Sequence, residues 1–212
     1  MAVADLVRQG VVKRIPGRGT FFVKEPQLQI GVESIERMLH EWESLGFDPE
    51  AKVLSFCYLK ADKDVPRKLK LTAGSKVLVV RRVRTTSGKP ASIDVRYIAG
   101  WCAHVIRRED APHLLLPVIE RRLKIKAIAS EQEIWAQGAD QVMAEVLEVN
   151  VGAPILSREV TLIAEDERPI STGAAHHRAD LVRFRVRAPG DVQNLELQTE
   201  TTRLHAVSMQ KA

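Results

Sequence analysis

One ordered pattern occurs twice in this chain, and it restricts the fold more than anything else in the sequence. "LKLTAGSKVLVVRRVR…GKP" and "LEVNVGAPILSREVT…ERP" follow the same plan. A short helical stretch ends near a leucine, Leu71 or Leu147. A glycine follows, Gly74 or Gly152, and then a strand opening on Val-Leu or Ile-Leu. Each strand carries an arginine, Arg82 or Arg158, and each hairpin turn ends in a proline, Pro90 or Pro169. Two related helix–hairpin units, each with one apolar side to bury, predict an antiparallel sheet with helices packed on it, an α+β architecture.

The rest of the chain fits around these units. "SIERMLHEWESLGFDP" reads as a helix, capped by Ser34, with Ile35, Met38, Leu39, Trp42 and Leu45 in one stripe and Gly46 at its end. "KVLSFCYL" reads as a strand and "DKDVPRKLKL" as a short helix stopping near Gly74. The segment 75–100 reads as a hairpin turning at Ser87-Gly88-Lys89-Pro90. "APHLLLPVIERRLKI" predicts a helix from Leu114 or Pro117 onward, "AIASEQEIWAQGA" a strand and "DQVMAEVLEV" a capped short helix. The segment 153–187 predicts two or three more strands, and the polar tail from Ala188 a loosely attached end.

Near the start stands "VKRIPGRGTFFV", Val12 to Val23. Apolar runs flank Pro16-Gly17-Arg18-Gly19, which predicts a tight hairpin with Lys13, Arg14 and Arg18 around its tip. Glycine there permits positive φ and a close approach of backbone to a surface. A basic hairpin of this kind can lie on a phosphate backbone or enter a minor groove, and it can equally be an ordinary turn.

Length and composition narrow the function classes. The chain has 212 residues, is 45% apolar, and carries a formal net charge of +5. That suggests one or two domains, and a mild positive excess compatible with nucleic acid or an anionic ligand. No apolar run is long enough to cross a membrane and no signal-peptide h-region is visible, so the expected location is cytoplasmic, without a membrane partner. Cys57 and Cys102 lack metal-ligand spacing and read as buried thiols. Trp42, Trp101 and Trp135 read as core or pocket wall.

Candidate site residues follow from charge and spacing. Arg82 and Arg84 are two apart on a strand, so they share a face and make a fork for a carboxylate or phosphate. Asp94, on the partner strand, can pair with them or meet ligand hydroxyls; Arg81 and Arg96 are expected on the other face. The alternative is a solvated basic face. Glu131 and Glu133 share a face, most simply solvated or paired with arginine. His176 and His177 are adjacent, point to opposite sides of a strand and cannot hold one metal ion together. No nucleophile–base or phosphate-loop pattern is present. Neither catalytic residues nor a cofactor are expected.

Two resemblances extend this reading. "ADLVRQGVVKRIPGRGTFFV" resembles the end of a GntR-type winged helix-turn-helix, through Leu6, Gly10, Val11, Arg14, Pro16, Gly17, Arg18, Gly19, Thr20, Phe21 and Val23. The residues before it are too few for that family's base-reading helix, so weak DNA binding without sequence preference is expected of the chain as it stands. Glu33 to Arg187 resembles the UTRA effector-sensing domain of the HutC subgroup of these regulators. Arg82, Arg84, Gly88, Pro90, Asp94 and Tyr97 match in the first hairpin. Glu133, Ile134, Ala136, Leu147, Gly152, Pro154, Leu156, Arg158, Pro169, Arg178, Asp180 and Phe184 match in the second half.

The resemblance implies a chorismate-lyase-like fold, a homodimer, and a small-molecule effector that modulates operator DNA binding. The implied organisation is a wing remnant at 1–25, the UTRA domain at 26–187 and a tail at 188–212. The implied DNA contacts are Arg14, Arg18 and Gly19. The implied ligand set is Arg82, Arg84, Asp94, Tyr97, Glu133, Ser171 and His177. Relatives that sense sugar phosphates usually have a Ser near Leu114, and a Glu and a Tyr where Ser171 and His177 stand. A less acidic pocket for another anionic metabolite is therefore expected. The alternative function is a chorismate-lyase-like enzyme on the same fold.

Overall fold

A computed structural model describes residues 12–15, 19–22, 28–31, 50–61, 64–86 and 88–185. The basic hairpin is present: β1 (Val12–Ile15) pairs antiparallel with β2 (Gly19–Phe22), Val12 opposite Phe22 and Ile15 opposite Gly19. Gly19 is exposed with φ +101°, a conformation that disfavours any side chain. The helix expected from Ser34, the tail from Ala188, and Arg18 and Trp42 lie outside the described residues.

The main body is one antiparallel sheet built from the two halves of the repeat. The first half is β4 (Glu50–Lys60), helix α1 (Asp64–Lys68), β5 (Lys76–Thr86) and β6 (Lys89–Ile98). The second is β7 (Ala127–Gly138), then a later helix, then β8 (Pro154–Ala164), β9 (Pro169–Thr172) and β10 (Ala174–Arg178). That helix is Gln141–Leu147, and Asp140 caps it by accepting from the Met143 amide at 2.7 Å. Between the halves lie α2 (Gly100–Ala103), a 3₁₀ turn (Arg108–Asp110) and α3 (Leu115–Leu123); the Gln141–Leu147 helix is α4. The order across the sheet is β4, β5, β6, then β9 and β10 end to end, then β8 and β7. Each half therefore contributes its hairpin to the centre and its first strand to an edge.

The repeat is visible in the backbone. Lys70 and Glu148 adopt left-handed φ of 51° and 55° after α1 and α4, and four residues later Gly74 and Gly152 have φ of 78° and 82°. Counted from these glycines, Arg82 and Arg158 are not equivalent; Val80 occupies the position of Arg158. The segment 153–187 forms four described strands rather than two or three. The fourth, β11 (Val182–Arg185), pairs in parallel with β3 (Leu28–Gly31) in a small separate sheet.

The core lies where the helices meet the sheet. Leu69, Val77, Leu78, Val79, Ile98, Ile119 and Ile170 are almost fully buried, and a second cluster joins Ala144 and Leu147 of α4 to Ile155. Gly173, between β9 and β10, has φ +149°, and a Cβ there would come within 2.0 Å of the Val95 carbonyl oxygen. Only glycine lets these two central strands approach so closely. Cys57 and Cys102 are both free thiols. Cys102 is buried, as expected, and burial pushes it up to about 12, whereas Cys57 is only half-buried.

Candidate anion-binding site

Strand register brings the charged residues to one face of the sheet. Arg82 of β5 stands opposite Asp94 of β6, Asp94 opposite Ala175 of β10, and Ala175 opposite Arg158 of β8. The next row is Arg84, Ser92, His177 and Leu156. On the other side of the Asp94 row, Arg96 stands opposite Val80. Alternation along each strand therefore puts Arg82, Arg84, Ser92, Asp94, Arg96, Arg158 and His177 on the same side.

Arg82 and Arg84 of β5 differ sharply in how they are used. Arg82 donates from Nε and Nη2 to the two oxygens of Asp94, both at 2.9 Å, and from Nη1 to the Ala111 and His113 carbonyls at 3.0 and 2.6 Å. Four of its five N–H groups are thereby engaged inside the chain. Arg84 makes one long contact, Nε to Asp94 Oδ2 at 3.4 Å. Its exposure is 6%, so its other donors are in an enclosed space. Beside it, Ser92 is 0% and His177 5% exposed, and Ser92 Oγ and His177 Nδ1 have no hydrogen-bond partner among the described residues; the same holds for Thr86 Oγ1, two residues along β5. Buried polar atoms are nearly always paired in folded chains, so two orphans in the Arg84 row, with a third two residues along β5, mark a place built for a polar guest.

The electrostatics agree. Burial pushes the Asp94 carboxyl up, but Arg82, Arg84 and Arg96 outweigh it and hold the group below the usual carboxylate range. Burial lowers Arg84; Asp94 opposes this, while Arg82 and Arg96 add to it. Burial and Arg96 bring Arg158 down to about 10. His177 falls to about 3, mainly by burial, with Asp94 opposing and Arg158 and Arg96 contributing. Its ring packs edge-on to Phe184 of β11 at 5.4 Å, and the Arg158 guanidinium lies 5.4 Å from the same ring. Arg158 also donates from Nε and Nη2 to Gln132 Oε1 at 3.0 and 2.7 Å.

Arg82, Arg84, Asp94 and His177 of the expected ligand set are brought together. Ser171 is buried and alternates onto the same face, but it pairs with Ile98, four residues along β6 from Asp94. Tyr97 stands opposite Thr172, and Glu133 opposite Glu159, on the other face. There Tyr97 and Glu159 line a separate cleft of roughly 230 Å³ with Asp64, Lys68, Thr172 and His176, and Lys68 is ion-paired with Glu159. His176 indeed faces away from His177, its Nδ1 at 2.8 Å from Ser157 Oγ. Arg14 lies in β1 and Gly19 begins β2.

One expectation is corrected. Arg96 was assigned to the face opposite Arg82, yet it shares that face because a register shift follows Arg84 in the β5–β6 ladder. Ser92 was not singled out; its spacing of two from Asp94 was the available signal.

Comparison with known proteins gives the family. The family model described as the UTRA domain matches residues 44–183. The HTH-type transcriptional regulator Rv0792c of Mycobacterium tuberculosis is 30% identical over 194 residues, covering 89% of this chain and 70% of its own. The HTH-type transcriptional repressor NagR of Bacillus subtilis is 22% identical over 183 residues, 86% of this chain and 75% of its own. The mannosyl-D-glycerate transport/metabolism system repressor MngR of Escherichia coli is 25% identical over 157 residues, 74% of this chain and 65% of its own. The crystal structure of PhnF from Mycobacterium smegmatis superposes with a TM-score of 0.76 at 19% identity, covering 89% of this chain and 82% of that one. The UTRA domain is the effector-binding part of GntR-type regulators. With that domain over most of its length, this chain belongs to the UTRA-domain family of GntR-type transcriptional regulators.

Proposed function

We propose that the arginine-lined face of the sheet binds a small anionic metabolite, and that its occupancy modulates operator binding by a homodimer. The observation that carries this reading is the row of Arg84, Ser92 and His177, buried and poor in partners. In it, Arg84 supplies the charged donors, Ser92 a hydroxyl and His177 a ring nitrogen. Arg82 positions Asp94 and the 111–113 segment instead of meeting the ligand. MngR takes its name from mannosyl-D-glycerate, a carboxylate-bearing glycoside, which supports an anion as the effector class. The basic hairpin around Arg14, Arg18 and Gly19 is read as the wing, meeting phosphates. No catalytic role is assigned to the site.

The test is a thermal-shift screen of anionic metabolites, followed by calorimetric titration of any hit against Arg84→Met. A charge-assisted hydrogen bond contributes about 1.5–3 kcal/mol, so affinity should fall about ten- to a hundredfold. Equal binding by a folded Arg84→Met variant refutes the site. Sedimentation at micromolar concentration tests the dimer, and a chorismate turnover assay tests the enzymatic alternative.

A further inference from the structure

We propose that the ligand carries two anionic groups, one held at Arg84 and the other at Arg96, on either side of the Arg82–Asp94 pair. The proposal rests on the anion site described above and adds to it a second pole.

The charge inventory of this face is the starting point. Among the described residues, Arg82, Arg84 and Arg96 share this face with one carboxylate, Asp94; Arg158, on the same face, has partners of its own, Gln132 among them. Asp94 is spent on Arg82, which grips both its oxygens. Arg84 shares one of those oxygens at 3.4 Å. Arg96 is half-buried and donates from Nη1 to the neutral Gly173 carbonyl at 2.7 Å. Like charges gathered around a single carboxylate oppose folding, so such a set is favoured where something else brings negative charge. Burial lowers Arg96; Asp94 and Glu159 oppose this and Arg82 adds to it.

Geometry separates the two poles. Arg84 stands opposite Ser92, and Arg96 is four residues further along β6, roughly 13 Å of strand at about 3.3 Å per residue. Both side chains are long, and the Arg82–Asp94 pair between them is already neutral. An anion at Arg84 therefore leaves Arg96 without an ion-pair partner of its own among the described residues. A short carbon chain with an anionic group at each end, as in a phosphorylated hydroxy acid, meets both poles. A phosphosugar would offer Arg96 only neutral hydroxyls.

The experiment uses a matched pair of probes, 3-phosphoglycerate and glycerol 3-phosphate, which differ by a carboxylate in place of a hydroxymethyl group. Calorimetric titration of the whole chain should show the first binding about ten- to a hundredfold more tightly. Arg96→Gln keeps an N–H for the Gly173 carbonyl and removes the charge. It should abolish the preference, weakening 3-phosphoglycerate far more than glycerol 3-phosphate. Arg84→Met should weaken both probes. Equal affinities in the parent, or a preference that survives Arg96→Gln, overturns the second pole alone. Failure of both probes and of inorganic phosphate to bind the parent overturns the Arg84 site, and the second pole falls with it. If Arg96→Gln does not fold, the probe pair in the unaltered protein still decides the question.

Discussion

His177 should make this domain acid-sensitive in a pH range where carboxylates are silent. It is buried, its Nδ1 has no hydrogen-bond partner among the described residues, and its folded pKa is about 3 against an ordinary 6.5. The sign follows from the depression: between these values the unfolded chain binds a proton that the folded chain refuses. Stability is therefore complete above pH 6.5 and is lost as pH falls toward 3. From pH 7 to pH 5 the loss attributable to this one group is about 2 kcal/mol. His176 is also lowered, by burial with Asp140 opposing, so the parent alone does not isolate the effect. His177→Phe does, because it keeps an aromatic ring beside Phe184 and removes the titration. Urea unfolding of parent and variant at pH 7, 6 and 5 is the assay. The stability difference between them should change by about 2 kcal/mol across that range. A difference that stays constant with pH, whatever its size, refutes the reasoning, since a pure packing effect carries no proton.

Two further substitutions test how the site is built. Gly173→Ala places a Cβ within 2.0 Å of the Val95 oxygen at φ +149°; it should cost on the order of 3–5 kcal/mol in urea unfolding, and a loss below about 1 kcal/mol would show that the central strands separate easily. Arg82→Met strands Asp94 and two carbonyls and should cost about 3–5 kcal/mol without ligand, whereas Arg84→Met, which releases one 3.4 Å contact, should change stability by about 1 kcal/mol or less. Equal losses from the two would remove the distinction between a positioning and a binding arginine.

Much of the fold was legible because punctuation and periodicity are local. Gly74 and Gly152 end their helix–loop segments at equivalent places because each needs positive φ, and Asp140 caps its helix as its type predicts. The site was legible in kind but not in register. Counting pairs outward from the turn, where Thr86 meets Lys89, would place Arg96 opposite Val79 on the Arg81 side. The shift after Arg84 moves the pairing by one residue and turns Asp94 and Arg96 onto the arginine face. No propensity signals that shift. The division of labour between Arg82 and Arg84 was equally hidden, because it depends on the Ala111 and His113 carbonyls, which reach Arg82 only through tertiary packing. Tyr97 and Glu133 matched a pattern whose strand parity places them on the opposite side.

The meeting of β6 with β9 and β10 has a consequence for how such a sensor reports. This is the only line along which the two halves of the main sheet pair among the described residues, and Gly173 interrupts it. Arg84, Ser92, Asp94 and Arg96 come from one half, His177 and Arg158 from the other. A guest bound at the proposed site would be a keystone, touching both flanks of a join that the backbone closes only in short stretches. Its binding free energy appears as resistance of that join to opening, by mass-action linkage that grows with ligand concentration.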